Sequence, residues 1–256
     1  MLFDLCVPAR NEGANIQDVL RRLVKALSDL EIDWQITVAV NGTTDDTLQR
    51  VGEFLAPKAD PAAYTLNEGG KIPNSKFQIQ VLECPETGKA AAIKFAAQNS
   101  QADIFGFIDA DLSADPETIL PMVKIILANQ ADVVIGSRLM DIKTTNRGFL
   151  RTLSSQFFNL MSRLLLGLKV KDAQCGLKIM NAKAKKSLLA CQEKGWFLDI
   201  EFLAKAVQDG LSVTEIPVPW IEFRYAGRKS QVSMLKDGWG ALRAMLRIRS
   251  RQRKYV

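Results

Sequence analysis

The strongest constraint on what this chain can fold into is an alternation. Short apolar runs rich in β-branched and aromatic residues are each followed by a stretch of helical periodicity: Phe3 to Val7 then Ile16 to Leu30, Gln35 to Val40 then Thr47 to Leu55, Gln78 to Leu82 then Ala90 to Ala97, Ile104 to Ile108 then Pro116 to Leu127. Val133 to Ile135 continues the series. Such a rhythm predicts an α/β fold with a mostly parallel, doubly wound sheet, because a strand that returns parallel to its predecessor needs a crossover helix. The stretch Ala56 to Lys76 interrupts it with Pro, Gly, Asn and Lys and is long for a connection in a compact domain. Beyond Ser137 the pattern changes to a very apolar helix over Phe149 to Leu166, a strand near Leu177 to Met180, two further helices, a strand over Val213 to Pro217 and a helix after Ser230.

A chain of 256 residues, 47% hydrophobic, can bury one large core. The expected division is residues 1–230 as the main domain and 231–256 as a basic amphipathic helix and tail. The absence of histidine excludes His-based triads, His-ligated zinc and a His general base. Cys6, Cys84, Cys175 and Cys191 are scattered and read as reduced core thiols. The start of the chain reads as a strand, not a signal peptide, and no apolar run is long enough to span a bilayer, so a cytoplasmic protein is expected. From Arg224 onward ten Lys and Arg face Asp237 alone, a local +9 against +6 for the whole chain, so the preceding body carries −3. A basic segment on an acidic body suits the cytoplasmic face of an anionic membrane, or a membrane-embedded partner subunit, better than nucleic acid. Val232, Leu235, Trp239, Leu242 and Leu246 recur at helical spacing in that segment.

In an open α/β sheet the ligand sits beyond the carboxyl ends of the strands, so the residues following each strand are the candidates for chemistry. Pro8-Ala9-Arg10-Asn11-Glu12 follows the first strand, Asn41-Gly42-Thr43-Thr44-Asp45 the second, and Asp109-Ala110-Asp111 the fourth. Two carboxylates at i and i+2 on an extended segment project to one side and can share a divalent cation, Mg²⁺ or Mn²⁺, that bridges a diphosphate. The alternative use of the pair, capping the helix near Pro116, is already served by Asp115.

These segments, together with Gly88-Lys89, Val134-Ile135-Gly136-Ser137-Arg138, Asp172-Ala173-Gln174-Cys175-Gly176-Leu177-Lys178 and Trp196-Phe197-Leu198-Asp199-Ile200-Glu201, resemble glycosyltransferase family 2. The later motifs resemble the branch that includes dolichyl-phosphate mannose synthases and dolichyl-phosphate β-glucosyltransferases. The resemblance implies a GT-A fold and an inverting transfer of a hexose from a nucleoside-diphosphate sugar, UDP- or GDP-linked, to a polyprenyl phosphate lipid. Carried over by position, it puts Pro8, Arg10, Glu12, Asn41 and Lys89 against the nucleotide, Asp109 and Asp111 on the metal, and Arg138, Arg151, Ser155, Arg224 and Lys229 around the acceptor phosphate. Arg138 ends the fifth strand, where its planar fork can hold a phosphate by two hydrogen bonds. Asp199 and Glu201 are placed near the transfer site, with Asp199 as the base if one is required. Asn41 departs from the acidic residue usual in the family, which leaves the donor base open.

Each position has a plainer reading. Pro8 can end a strand, Asn41-Gly42 can be a turn, and Arg10 with Glu12 can be a surface pair. Lys89 can be a solvated helix start, Arg151 and Ser155 a solvated helix face, Asp199 a helix cap, and Arg224 to Ser230 a solvated loop. Two other activities compete: transfer to a glycan hydroxyl, and a non-catalytic nucleotide-binding or membrane-recruiting subunit.

Overall fold

The structure, a computed structural model, describes residues 1–55, 77–140, 145–146, 149–221 and 234–252, with the side chains of 77, 145–146, 149–157, 196 and 234–239 left aside. The chain order is β1 (Leu2–Ala9), α1 (Ile16–Leu27), β2 (Asp33–Val40), α2 (Thr47–Leu55), β3 (Phe77–Glu83), α3 (Lys89–Asn99), β4 (Ile104–Ile108), a 3₁₀ turn (Pro116–Thr118) and α4 (Ile119–Leu127). It continues with β5 (Val133–Ser137), β6 (Thr145–Asn146), α5 (Phe149–Leu166), β7 (Leu177–Asn181), α6 (Ala182–Leu189), a 3₁₀ turn (Gly195–Phe197), α7 (Leu198–Gln208), β8 (Val213–Pro217), β9 (Trp220–Ile221) and α8 (Met234–Gln252).

Seven strands form one sheet in the order β3-β2-β1-β4-β7-β5-β8, and β6 pairs with β9 in a second, small one. All neighbours in the large sheet are parallel except β7, which runs antiparallel to both β4 and β5. The alternation in the sequence therefore produces the expected α/β sheet. β7 passes directly into α6, with Asn181 capping that helix by accepting from the Ala184 N–H.

The faces of β1 show how the sheet is buried. Phe3, Leu5 and Val7 join the core under α1 and α4, while Cys6 joins the core under α3, α6 and α7. Successive side chains point to opposite faces, so a strand covered on both sides must be apolar at nearly every position. All four cysteines are buried free thiols, as expected. Pro8 lies inside β1, where only β2 is paired beside it, because the pairing with β4 stops at Cys6. A residue without an N–H is tolerated at such an open edge.

The order of the sheet reverses at β1, which sends its connection to β2 on one side and has β4 on the other. The loops after β1, β2 and β4 therefore open into one crevice. Asp115 caps the turn after β4 by accepting from the Glu117 N–H, leaving Asp109 and Asp111 out of that role. From α8, Ala241, Ala244, Met245 and Ile248 are buried, and the last two enter the core beneath α7. Among the described residues no helix is long and apolar enough to cross a membrane. The stretch Ala56 to Lys76 lies outside the described residues, as do Arg224 and Lys229.

Candidate active site

The first two strand-end loops are tied together by side chains the sequence motifs contain. The Glu12 N–H donates to Thr47 Oγ1 (2.8 Å), the Gly13 N–H to Asp45 Oδ2 (3.0 Å), and the Thr44 N–H to Asn11 Oδ1 (2.8 Å). Asn11 takes a left-handed backbone, φ 55°, which an Asn tolerates better than most residues. Although desolvation alone would raise it, hydrogen bonds from Thr47 and from the Gly13 backbone hold the Asp45 carboxyl below its usual range. Glu12 is buried at this seam and Arg10 is exposed beside it.

Asn41 is buried at the end of β2, and its amide donates to the Gly88 carbonyl (2.6 Å). A carboxylate could not make that bond, so the departure from the family's acidic residue has a structural consequence: the amide fixes the residue that precedes Lys89. The turn reading of Gly42 also holds, since it sits at φ 57° and a Cβ there would lie 2.7 Å from Thr87 Cγ2.

The acidic segment after β4 is a turn and not the extended segment that the i, i+2 argument assumes. The Leu112 N–H donates to the Asp109 carbonyl (3.0 Å) and the Ser113 N–H to Asp111 Oδ1 (3.0 Å), with Leu112 at φ 46°. The carboxylates nonetheless act on each other. Burial raises the Asp109 carboxyl above its usual range against the pull of Lys89, and the Asp111 charge adds to the rise.

Lys89, the first residue of α3, meets this turn. Its Nζ is 2.6 Å from Asp109 Oδ1 and 4.0 Å from Asp199 Oδ2. Burial would lower the Lys89 ammonium, but Asp109, Asp199 and Asp111 together raise it above its ordinary value. On the far side of Asp199, Oδ1 accepts from Lys178 Nζ (2.6 Å), which also donates to the Cys175 carbonyl (2.6 Å). Lys178, the second residue of β7, is 0% exposed. Its charge is compatible with that burial only because Asp199 and a carbonyl receive it.

Glu201 does not share this location. Its Oε2 accepts from the Gln192 and Glu193 N–H groups and its Oε1 from Arg251. Asp199 and Glu201 both lie on α7, and two residues along a helix turn the side chain by about 200°. The i, i+2 spacing that aligns carboxylates on a strand therefore separates them here.

On the acceptor side, Arg138 follows β5, with its Nε 2.6 Å from Asp172 Oδ2 and its Nη2 2.6 Å from Oδ1. The fork that the resemblance puts on the acceptor phosphate is bonded to a buried carboxylate, and the guanidinium stacks 4.8 Å from the Trp220 ring centroid. Burial alone would raise the Asp172 carboxyl, but Arg138 keeps it below its usual range. Glu215 in turn accepts from the Lys171 and Asp172 N–H groups, which fixes the loop that presents Asp172. Trp220 is tied to the acidic turn through its neighbours: the Asp115 N–H donates to the Pro219 carbonyl and the Ile221 N–H to the Ser113 carbonyl. Arg151 and Ser155 belong to α5, but their side chains lie outside the described residues.

Asp109, Asp111, Lys89 and Asp199 are thus brought to one place, and Lys178, Gly176 and Asp172 complete it. A lysine inside the apolar run Leu177 to Met180 was the available signal for Lys178. Nothing in the spacing marks Gly176, where a Cβ would lie 2.0 Å from Asp109 Oδ2. Asp109 and Asp111 are oxygen donors of the kind a hard divalent cation takes. Among the described residues no three acidic or other ligating side chains form a closed cage. A Mg²⁺-type ion is held by one or two carboxylates together with substrate phosphates, and an ammonium already sits against one of the two here.

A mostly parallel sheet whose switch point carries an acidic turn and paired lysines is an α/β protein with a charged ligand crevice at its strand ends. Residues 4–189 match the glycosyl transferase family 2 profile, and the chain belongs to that family. It is 27% identical over 217 residues to glycosyltransferase AglD of Haloferax volcanii, covering 84% of this chain and 32% of that protein. It is 28% identical over 229 residues to the dolichyl-phosphate beta-glucosyltransferase ALG5C of Trichomonas vaginalis, covering 84% of this chain and 63% of that one. The chain therefore spans about a third and just under two thirds of these relatives. Its fold matches glucosyl-3-phosphoglycerate synthase of Mycobacterium tuberculosis, crystallised with Mn²⁺, UDP-glucose and phosphoglyceric acid, at TM-score 0.66 and 18% identity over 97% of this chain and 80% of that one. The GT-A fold expected from sequence is thereby shown.

Proposed function

We propose that this chain transfers a hexose from a UDP- or GDP-linked donor to the phosphate of a polyprenyl lipid, with inversion at the anomeric carbon. The bond from that carbon to the diphosphate breaks, the nucleoside diphosphate leaves with the electron pair, and an acceptor phosphate oxygen forms the new bond. Pro8, Arg10, Glu12 and Asn41 line the nucleotide end. Lys89 takes the diphosphate, and Asp109 with Asp111 hold Mg²⁺ or Mn²⁺. When bound there, the cation would offset the charge that collects on the departing diphosphate. Asp172 orients Arg138, which with Arg151, Ser155, Arg224 and Lys229 supplies the positive field for the acceptor.

The observation that carries the acceptor reading is the engagement of Asp199. One of its oxygens holds Lys178 and the other faces Lys89. Asp199 is thereby occupied in ion pairing, which suits a phosphate nucleophile that arrives already ionised and needs no base. The relationship to a dolichyl-phosphate beta-glucosyltransferase points the same way. A lipid acceptor puts the chain at a membrane, on the cytoplasmic face where nucleotide sugars are available. In support, Leu160 and Leu164 of α5 and Leu246 of α8 are 51%, 68% and 50% exposed, beside a strongly basic C-terminal segment. In this reading residues 1–230 form the catalytic unit, and 231–256 the basic element directed to the membrane or to an embedded partner subunit.

The test is incubation with radiolabelled UDP- and GDP-sugars, Mn²⁺ and a polyprenyl phosphate. Organic-extractable label that Asp111→Ala abolishes is the expected result. Label appearing only on a glycan hydroxyl acceptor, or with no acceptor, removes the proposal.

A further inference from the structure

Lys89 stands between two carboxylates delivered by different parts of the fold. Asp109, on the turn after β4, lies 2.6 Å from its Nζ, and Asp199, on the first turn of α7, lies 4.0 Å away. Both are held in place from behind. Asp199 is anchored by Lys178, and Asp109 packs so closely on Gly176 that no Cβ fits there. The ammonium between them is a point charge on a flexible four-carbon stem.

Three carboxylates, Asp109, Asp111 and Asp199, face the two ammonium groups of Lys89 and Lys178, a net charge of −1. A divalent ion on Asp109 and Asp111 with Lys89 still in place would turn that balance to +1, with two cations competing for one carboxylate. Asp199 Oδ2 offers the lysine an ionic berth within reach of a side-chain rotation, with no movement of the backbone.

We propose that Lys89 is an exchangeable substitute for the cation. It neutralises Asp109 before loading and moves onto Asp199, facing the donor diphosphate, when a divalent ion takes Asp109. Asp199 is then a positioning residue, the berth that makes the exchange possible. This inference rests on the cation reading of Asp109 and Asp111 given above. Its consequence is that cation and donor bind in a coupled way: the lysine opposes a bare cation and, once displaced, favours the diphosphate that follows.

The experiment is a Mn²⁺ titration of the full chain without nucleotide, reading free Mn²⁺ by electron paramagnetic resonance, with circular dichroism as a check on folding. Lys89→Met is expected to bind Mn²⁺ about tenfold more tightly than wild type, and Asp199→Asn several-fold more weakly. The double variant should match Lys89→Met, because the berth matters only to a lysine. If the Asp199→Asn weakening persists undiminished in the double variant, the aspartate acts as plain negative charge and the exchange is wrong. An unchanged affinity in Lys89→Met also overturns it. Wild-type Mn²⁺ binding that Asp111→Asn does not reduce removes the cation reading itself, and the exchange with it. Asp199→Asn leaves Lys178 buried without its counter-ion, so a second measurement stands apart from that variant. Saturating UDP or GDP should tighten Mn²⁺ binding less in Lys89→Met than in wild type, and equal tightening refutes the exchange.

Discussion

Gly176→Ala isolates the geometry of the acidic turn without touching a charged group. Gly176 lies just before β7, and a Cβ built there falls 2.0 Å from Asp109 Oδ2 and 2.4 Å from its Cγ. Carbon and oxygen do not approach closer than about 3 Å, so the carboxylate must retreat by about 1 Å or more. On one side Asp109 is bonded to Lys89, and behind Gly176 the chain continues into a strand paired with both β4 and β5, so neither partner yields easily. A misplacement of about 1 Å at a reacting group costs on the order of 100-fold in rate, about 2.7 kcal/mol in the barrier. Initial rates of label transfer, measured for the variant and wild type at saturating donor, should show that loss while circular dichroism stays unchanged. Gly52→Ala is the control, because nothing lies within 4 Å of a Cβ there and the residue is inside α2. It should leave the rate unaltered and raise stability by about 0.5–1 kcal/mol. If Gly176→Ala turns over within threefold of wild type, the claim that Asp109 is held in a fixed working position is refuted.

Three further outcomes follow from the buried charges. Asp172→Asn removes the counter-ion of Arg138 in a site where both side chains are buried, and urea denaturation should show a loss of about 3 kcal/mol; an unchanged midpoint would contradict the pairing. Burial raises the Asp4 carboxyl above its usual range even though the Thr37 hydroxyl donates to its Oδ1 (2.7 Å), and among the described residues its Oδ2 has no hydrogen-bond partner. The folded state therefore holds this proton to higher pH than the unfolded chain. The Asp4 contribution to stability should fall from about pH 4 up to the raised folded value, and Asp4→Asn should flatten that slope in thermal melts across the range. Glu201→Gln keeps acceptors for the Gln192 and Glu193 N–H groups but weakens the pair with Arg251, so hydrogen exchange should quicken near the end of α8 while the centre of α7 stays protected.

The sequence by itself determined the order of the main elements, without the short β6 and β9, and the edge of the sheet where the candidate residues gather. Strands β4 and β8, and helices α2 and α5, fall on the residues their periodicity marks, because burial on two faces or one stripe imposes a pattern that local sequence carries. The loops after β1, β2 and β4 were legible for the same reason: a parallel sheet must present its strand ends together. What only the tertiary structure decided is which charges meet there. The family resemblance put Asp199 and Glu201 together near the transfer site, but α7 separates the two by about 200° and gives Asp199 to Lys178 and Glu201 to α8. Its place at the end of the fifth strand presented Arg138 as a fork for phosphate, and only the tertiary structure shows that Asp172, 34 residues further along the chain, pairs with it. The antiparallel passage of β7 carries Lys178 and Gly176 up to the acidic turn, and no periodicity announces it. Local sequence encodes burial, which acts residue by residue. Ion pairing depends on where distant segments cross, and that is fixed only when the sheet closes.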